Sequence, residues 1–152
     1  VCFSAPVIRL FTPEALASDP RFGQLGPDPL RPDFSREAWL GRITAEADRE
    51  IGDVLLDQHV VSGIGNMLRI EILWKSHVHP QRLVRELTDE EKQELLRWTL
   101  HLMHRWAAKI RGKKDWLNIY RRSGQPCPRC GAPIEYFRQK ERITFACARC
   151  QR

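Results

Sequence analysis

A mainly α chain, a helical bundle followed by a small β-hairpin, is predicted by three features of the 152-residue sequence. Apolar residues recur at three- and four-residue spacing through its middle, a Pro- and Gly-rich stretch sets off its beginning, and its tail strings paired cysteines between short β-prone pieces. With 42% hydrophobic residues the chain can bury a core, and its length suits one domain or two small ones.

Residues 1–11 alternate loosely and carry Val, Phe and Ile, which predicts a strand with Cys2 packed in it. Thr12 and Pro13 read as N-cap and first residue of a helix that Pro20 should stop. The segment FGQLGPDPLRPD, 22–33, is a turn-rich connector, and it places a boundary between residues 1–34 and a helical unit over 35–120. From Ser35, a candidate N-cap, a helix to about Arg49 aligns Trp39, Ile43 and Ala47 on one face, with Gly52 interrupting. Apolar helices over 53–60 and 66–76 flank the turn SGIG. Thr88 and Glu91 have the spacing of a capping box for a helix reaching about Ile110, in which Leu95, Thr99, Leu102, Trp106 and Ile110 form a core stripe beside Trp98 and Met103. Trp98 and Trp106 have the chemistry to stack on bases, but the helical period assigns them to packing. In the last unit, 121–152, Ile134–Phe137 and Ile143–Phe145 are the expected arms of the hairpin.

No run approaches the ~18–20 apolar residues of a membrane-spanning helix, and no secretory leader is visible, so the protein is expected inside the cell with no membrane association. The formal charge of +6 conceals an uneven distribution: residues 101–152 hold 13 Lys+Arg against 3 Asp+Glu, and the rest hold 12 against 16. A basic end of this kind suits a polyanion, nucleic acid foremost, with an acidic membrane surface or mere solubility as the alternatives.

The four cysteines Cys127, Cys130, Cys147 and Cys150 stand as two C-x-x-C pairs separated by 16 residues. Two such turns at the base of a hairpin can set four thiolates in a tetrahedron about 2.3 Å from one zinc ion. Disulfides and a redox dithiol fit less well, because the chain shows no leader and the pair is duplicated. Four sulfurs leave no open coordination position, so the zinc is expected to be structural and the hairpin to act as a stiff arm. Between the pairs lie Arg138, Lys140 and Arg142, suited to phosphate or simply a basic loop.

Gly63, Ile64, Gly65 and Asn66 open a helix, where free N–H groups and the helix dipole favour an anion; the same residues also read as a tight turn with Asn66 as N-cap. His77 and His79, before Pro80, read as turn residues without a catalytic partner.

Taken together, LLDQHVVSGIGNMLRIEILWKSHVHP and the later YRRSGQPCPRCGAPI with RITFACARCQ resemble the bacterial formamidopyrimidine-DNA glycosylase and endonuclease VIII family. Residues 51–80 look like its helix-two-turns-helix DNA-binding element, and 121–152 like its zinc finger. GNMLRIEILW is closer to endonuclease VIII, which implies oxidised pyrimidines as substrates. The resemblance implies that the amides of Gly63, Ile64 and Gly65, the Asn66 side chain and Arg142 grip phosphates of damaged double-stranded DNA, with Arg122 as a further contact. Glu71 falls on a family glutamate, but its spacing to Lys75 favours a helix ion pair.

The proline amine, glutamate and lysine of the family's catalytic domain have no counterparts: the chain begins Val1-Cys2-Phe3, Pro6 is internal, and VCFSAPVIRLF looks like the last strand of that domain. The expectation is therefore a monomeric, nucleoid-associated DNA-binding half of a glycosylase/AP lyase, inactive alone unless the Val1 amine, Lys113 or Lys114 forms an imine. A stand-alone nucleic-acid module or a zinc-stapled protein-interaction module are the alternatives.

Overall fold

A computed structural model describes residues 9–108 and 117–152. Most of the expected first strand, with Val1, Cys2 and Pro6, lies outside the described residues, as do Ile110, Lys113 and Lys114, and residues 9–11 form no strand.

The described residues hold six α-helices, a short 3-10 helix at Val84–Glu86 and one two-stranded sheet, joined by turns and loops. Helix α1, Pro13–Ser18, starts as expected, with the Thr12 hydroxyl accepting from the Ala15 amide at 3.2 Å. Pro20 ends it and opens a further turn, α2, Pro20–Gly23, because proline suits a first helical position as well as it breaks an interior one. The connector that follows lies along the loop at 58–62, where Gly26 donates to Gln58 O at 2.8 Å and Ser62 to Pro27 O at 3.2 Å.

Helix α3, Arg36–Ala45, is capped by Ser35 and buries Trp39 and Ile43. It stops about a turn short of Arg49, whose guanidinium instead bridges Glu46 at 2.8 Å and Asp57 at 3.0 Å and closes the bend into the next segment. The helix expected over 53–60 is a single turn, α4, Ile51–Val54. Gly52 sits inside it rather than interrupting it, its amide donating to Pro80 O at 2.9 Å. Glycine is required there by a close approach: a Cβ would overlap the side-chain amide of Gln139.

Helix α5, Asn66–Lys75, is the centre of the molecule, with Leu68 through Trp74 all buried. Helix α6, Asp89–Ala108, opens on the expected capping box, Glu91 N to Thr88 Oγ1 at 3.2 Å and Thr88 N to Glu91 Oε2 at 2.9 Å. It packs on α5 through Leu95, Leu96, Leu102 and Met103, and the partly buried Trp98 and Trp106 pack against this same core.

The hairpin pairs β1, Glu135–Gln139, with β2, Arg142–Ala146, in antiparallel register, Gln139 opposite Arg142 across a two-residue turn at Lys140 and Glu141. It does not project as a separate arm. A second apolar cluster joins Ile70 and Trp74 of α5 to Ile119, Ile134, Cys127 and Cys147, and the chain's last residues pair with the loop after α5: His79 N to Arg152 O at 3.1 Å and Arg152 N to His77 O at 3.0 Å. Among the described residues no helix is long and apolar enough to cross a membrane.

Candidate nucleic-acid interface and metal centre

The four cysteine sulfurs lie within 4.8 Å of one another. Cys127 Sγ is 3.9 Å from Cys150 Sγ, and Cys130 Sγ is 3.5 Å from Cys147 Sγ. Sulfurs at zinc–thiolate distance in a tetrahedron would be about 3.8 Å apart, so the donor set fits one zinc ion. The protein environment sharpens the need for a cation. Burial and the neighbouring sulfurs push Cys150 up to about 12, and burial raises Cys147. Against the cost of burial, the amides of Arg129 and Cys130 bring Cys127 down to about 6. Four thiolates this close can all be charged only around a metal, which would be held entirely by sulfur and so serves structure.

The glycine turn is built as an open helix start. Gly63 takes a positive φ of 84°, and the Gln58 side chain braces the loop, accepting from Gly63 N at 2.9 Å and donating to Ile64 O at 3.1 Å. Ile64 points its side chain into the core, leaving only its backbone for any ligand. The N-cap is Gly65 and not Asn66, and no side chain caps it. The first amides of α5 therefore lack intrahelical acceptors, as an anion site requires.

Asn66, freed from capping, reaches the hairpin. Its Nδ2 donates to Ile143 O at 3.0 Å, and its Oδ1 accepts from Arg69 Nη2 at 2.7 Å. The glycine turn and the residue beside Arg142 are thereby joined, although 77 positions separate Asn66 from Ile143. Arg142 itself is exposed, as is Arg138.

Beneath this junction lies a residue that the sequence reading missed. Arg69 is fully buried and donates through Nη1 to Gln139 Oε1 at 2.9 Å and Gly52 O at 3.2 Å, and through Nη2 to Thr144 Oγ1 as well as Asn66. Burial pushes its guanidinium down to about 10, with Asp53 opposing and Arg142 reinforcing the shift, so it stays charged at neutral pH. Gln139 continues the chain of bonds, its Nε2 donating to Glu50 Oε2 at 2.7 Å and Pro80 O at 3.0 Å. Lys140, at the hairpin turn, pairs with the largely buried Asp53 at 3.1 Å and is not a free phosphate ligand.

Glu71 does not make the expected pair with Lys75, whose ammonium lies over the rings of Trp74 and Trp98. The carboxylate is fully buried and receives the chain leading to the hairpin: Asn118 N at 2.9 Å, Asn118 Nδ2 at 2.8 Å, Ile119 N at 2.9 Å and Tyr120 N at 3.0 Å. Arg122, half-buried in that segment, donates to Asn118 O at 3.0 Å and Gln125 Oε1 at 2.9 Å. His77 and His79 are turn residues as expected: His77 has a φ of 63°, and His79 stacks on Phe137 with burial lowering its pKa.

Residues 25–114 match the family model described as the formamidopyrimidine-DNA glycosylase H2TH domain, and residues 124–152 match the zinc finger found in FPG and IleRS. The chain is 33% identical to endonuclease 8 of Pectobacterium carotovorum over 99% of its own length and 61% of that protein's. It is 35% identical to formamidopyrimidine-DNA glycosylase of Herpetosiphon aurantiacus over 84% of its own length and 52% of that relative. It thus spans little more than half of these curated relatives. Similar solved structures include MutM in complex with DNA containing carbocyclic 8-oxo-G, with TM-score 0.77, 28% identity and coverage of 85% of this chain and 51% of that one. Another is Lactococcus lactis Fpg with DNA containing an abasic site, with TM-score 0.76, 27% identity and coverage of 84% and 52%.

Proposed function

Since this chain belongs to the formamidopyrimidine-DNA glycosylase and endonuclease 8 family of DNA-repair proteins, with its H2TH domain and zinc finger, we propose that its described residues form a clamp on one strand of damaged duplex DNA. The open amides at Gly63–Asn66 hold one backbone phosphate and Arg142 another, with Arg122 as a subsidiary contact. Asn66 Nδ2 still has a second hydrogen to offer after bonding Ile143 O. Two fixed grips on either side of a lesion lower the cost of swinging that nucleotide out of the stack for excision. The observation that carries this reading is the Asn66–Ile143 bond, which brings two candidate anion sites, distant in sequence, to one place.

As part of the same reading, the protein acts as a monomer on cytoplasmic, nucleoid-associated DNA during base-excision repair. Oxidised pyrimidines are its preferred lesions, a choice supported by GNMLRIEILW and by the near-complete coverage of the chain by an endonuclease 8. Binding to a labelled duplex with one abasic-site analogue, titrated over a salt series, tests the clamp. Arg142→Ala should weaken binding and flatten the logarithmic salt slope by about 0.9, the share of one phosphate, while zinc stays bound. Affinity and slope equal to the parent's would refute it.

A further inference from the structure

The zinc site fixes the base of the hairpin, whereas the proposed phosphate ligand Arg142 sits at its tip. Strands of five residues make a lever of about 16 Å, so a 10° swing about the base would carry the tip roughly 3 Å. That displacement exceeds the tolerance of a hydrogen bond to phosphate. Metal and apolar packing at the base cannot alone set Arg142, and something must fasten the tip.

We infer that Gln139 is the positioning residue of the clamp: the register partner of Arg142, it locks the hairpin tip to the helical body. This rests on the phosphate-clamp reading and deepens it. Gln139 is 4% exposed, and its side-chain amide is used at both ends, accepting from Arg69 and donating to Glu50 and Pro80 O. Arg69 in turn holds Asn66, so one short chain of bonds runs from the tip of the hairpin to the first residue of α5. Gly52, without a Cβ, makes the space in which that amide lies. A leucine would fill the same site with contacts that lack direction, and the tip would then slide; directional bonds select one position. The Lys140–Asp53 pair secures the turn beside it but is more exposed on the lysine side; the bonds from Asn66 to Ile143 O and from Arg69 to Thr144 hold the strand of Arg142, and Gln139 in turn places Arg69.

The test uses the full zinc-loaded chain and a fluorescein-labelled duplex carrying one tetrahydrofuran abasic-site analogue, with affinity measured across a potassium chloride series and zinc content in parallel. Arg142→Ala sets the scale, at roughly tenfold weaker binding. Gln139→Leu should lose nearly as much and show the same flattened slope with zinc retained, and the double variant should bind no worse than Arg142→Ala. Gly52→Ala, whose Cβ displaces the Gln139 amide while leaving every bonding group in the chain, should weaken binding and flatten the slope in the same way. Wild-type binding by zinc-loaded Gln139→Leu, or losses that multiply in the double variant, would overturn the inference. Should Gln139→Leu shed its zinc, Gly52→Ala decides: zinc-loaded with the slope of Arg142→Ala supports the role, and zinc-loaded with the parent's slope refutes it. An Arg142→Ala chain that binds like the parent would remove the clamp itself, and the positioning role with it.

Discussion

Glu71 offers the most direct test of how the zinc module is attached to the helices. Its carboxylate is fully buried in α5, yet among the described residues its bonding partners are N–H groups of Asn118, Ile119 and Tyr120 and no cation. In Glu71→Gln the side chain keeps its shape. Its remaining oxygen can serve Ile119 and Tyr120, while its new amino group faces the donors of Asn118, a residue that can turn to water. The loss is one charge-assisted acceptor, about 2 kcal/mol. In Glu71→Leu the Ile119 amide, fully buried, and the Tyr120 amide have no acceptor. At ~1–3 kcal/mol for each orphaned donor, the cost is about 4 kcal/mol.

For a chain of this size each kcal/mol lowers Tm by about 2–4 °C, so melting should fall by roughly 6 °C in the glutamine variant and 12 °C in the leucine variant. Thermal melts followed by circular dichroism and tryptophan fluorescence measure this. Hydrogen exchange at Ile119 and Tyr120 shows whether the loss is local to the attachment. Lys75→Ala, made in the parent and in Glu71→Gln, is the control: an ion pair with Glu71 would make it cheaper in the second background, whereas its contacts with Trp74 and Trp98 cost the same in both. The reasoning fails if Glu71→Leu lies within about 1 kcal/mol of the parent, or if the cost of Lys75→Ala largely disappears in the Glu71→Gln background.

Three further outcomes follow from the same structure. Cys147→Ser should abolish stoichiometric zinc binding and reduce DNA affinity together, measured by metal analysis and the duplex titration; retained zinc would refute the four-sulfur site. Zinc uptake by the metal-free chain at neutral pH should release roughly two or more protons, because Cys147 and Cys150 are both raised above the ordinary thiol value. Zinc affinity should therefore climb as pH rises, a sign that an indicator-dye titration in weak buffer can check. Gly52→Ala, ordinarily favourable within a helix, should here destabilise by about 1–3 kcal/mol, since its Cβ displaces the Gln139 amide; a denaturant melt showing a more stable protein would refute that packing.

How far these features were legible in the sequence depended on whether they are written locally. Caps are local, and Thr12, Ser35 and the Thr88–Glu91 box all form as their spacing implied. The cysteine spacing likewise carried the metal site, because two tight turns place their sulfurs whatever surrounds them. Gly52 misled because its role lies in a close approach from Gln139, 87 positions away by the sequence numbering, which no window of neighbours contains. Glu71 misled for a related reason: the i,i+4 rule assumes an exposed helix surface, and at Glu71 there is none. Arg69 gave no signal, since an arginine within an apolar run reads as the solvent side of an amphipathic helix. One clue was available. LRIEILW has too few polar residues for a helix with a wet face, so a charge within it needs an internal partner.

Arg69 and Glu71 also explain why the two matched regions act on each other although a connecting segment lies between them. Residues two apart on a helix project about 160–200° from one another, so the two charges leave α5 on opposite sides. Arg69 meets the tip of the hairpin, and Glu71 receives the strand of chain from which the zinc module starts. Among the described residues neither charge is matched by an opposite one at contact distance; each is solvated there by neutral groups whose positions are thereby fixed. Placed separately, they fasten the root and the tip of the zinc module to a single helix, the one whose open N-terminus is the other half of the proposed clamp. The separation of the two proposed phosphate grips is therefore set by α5. Substitutions at exposed positions such as Ser123 and Gln125 should change it far less than a change at either buried charge.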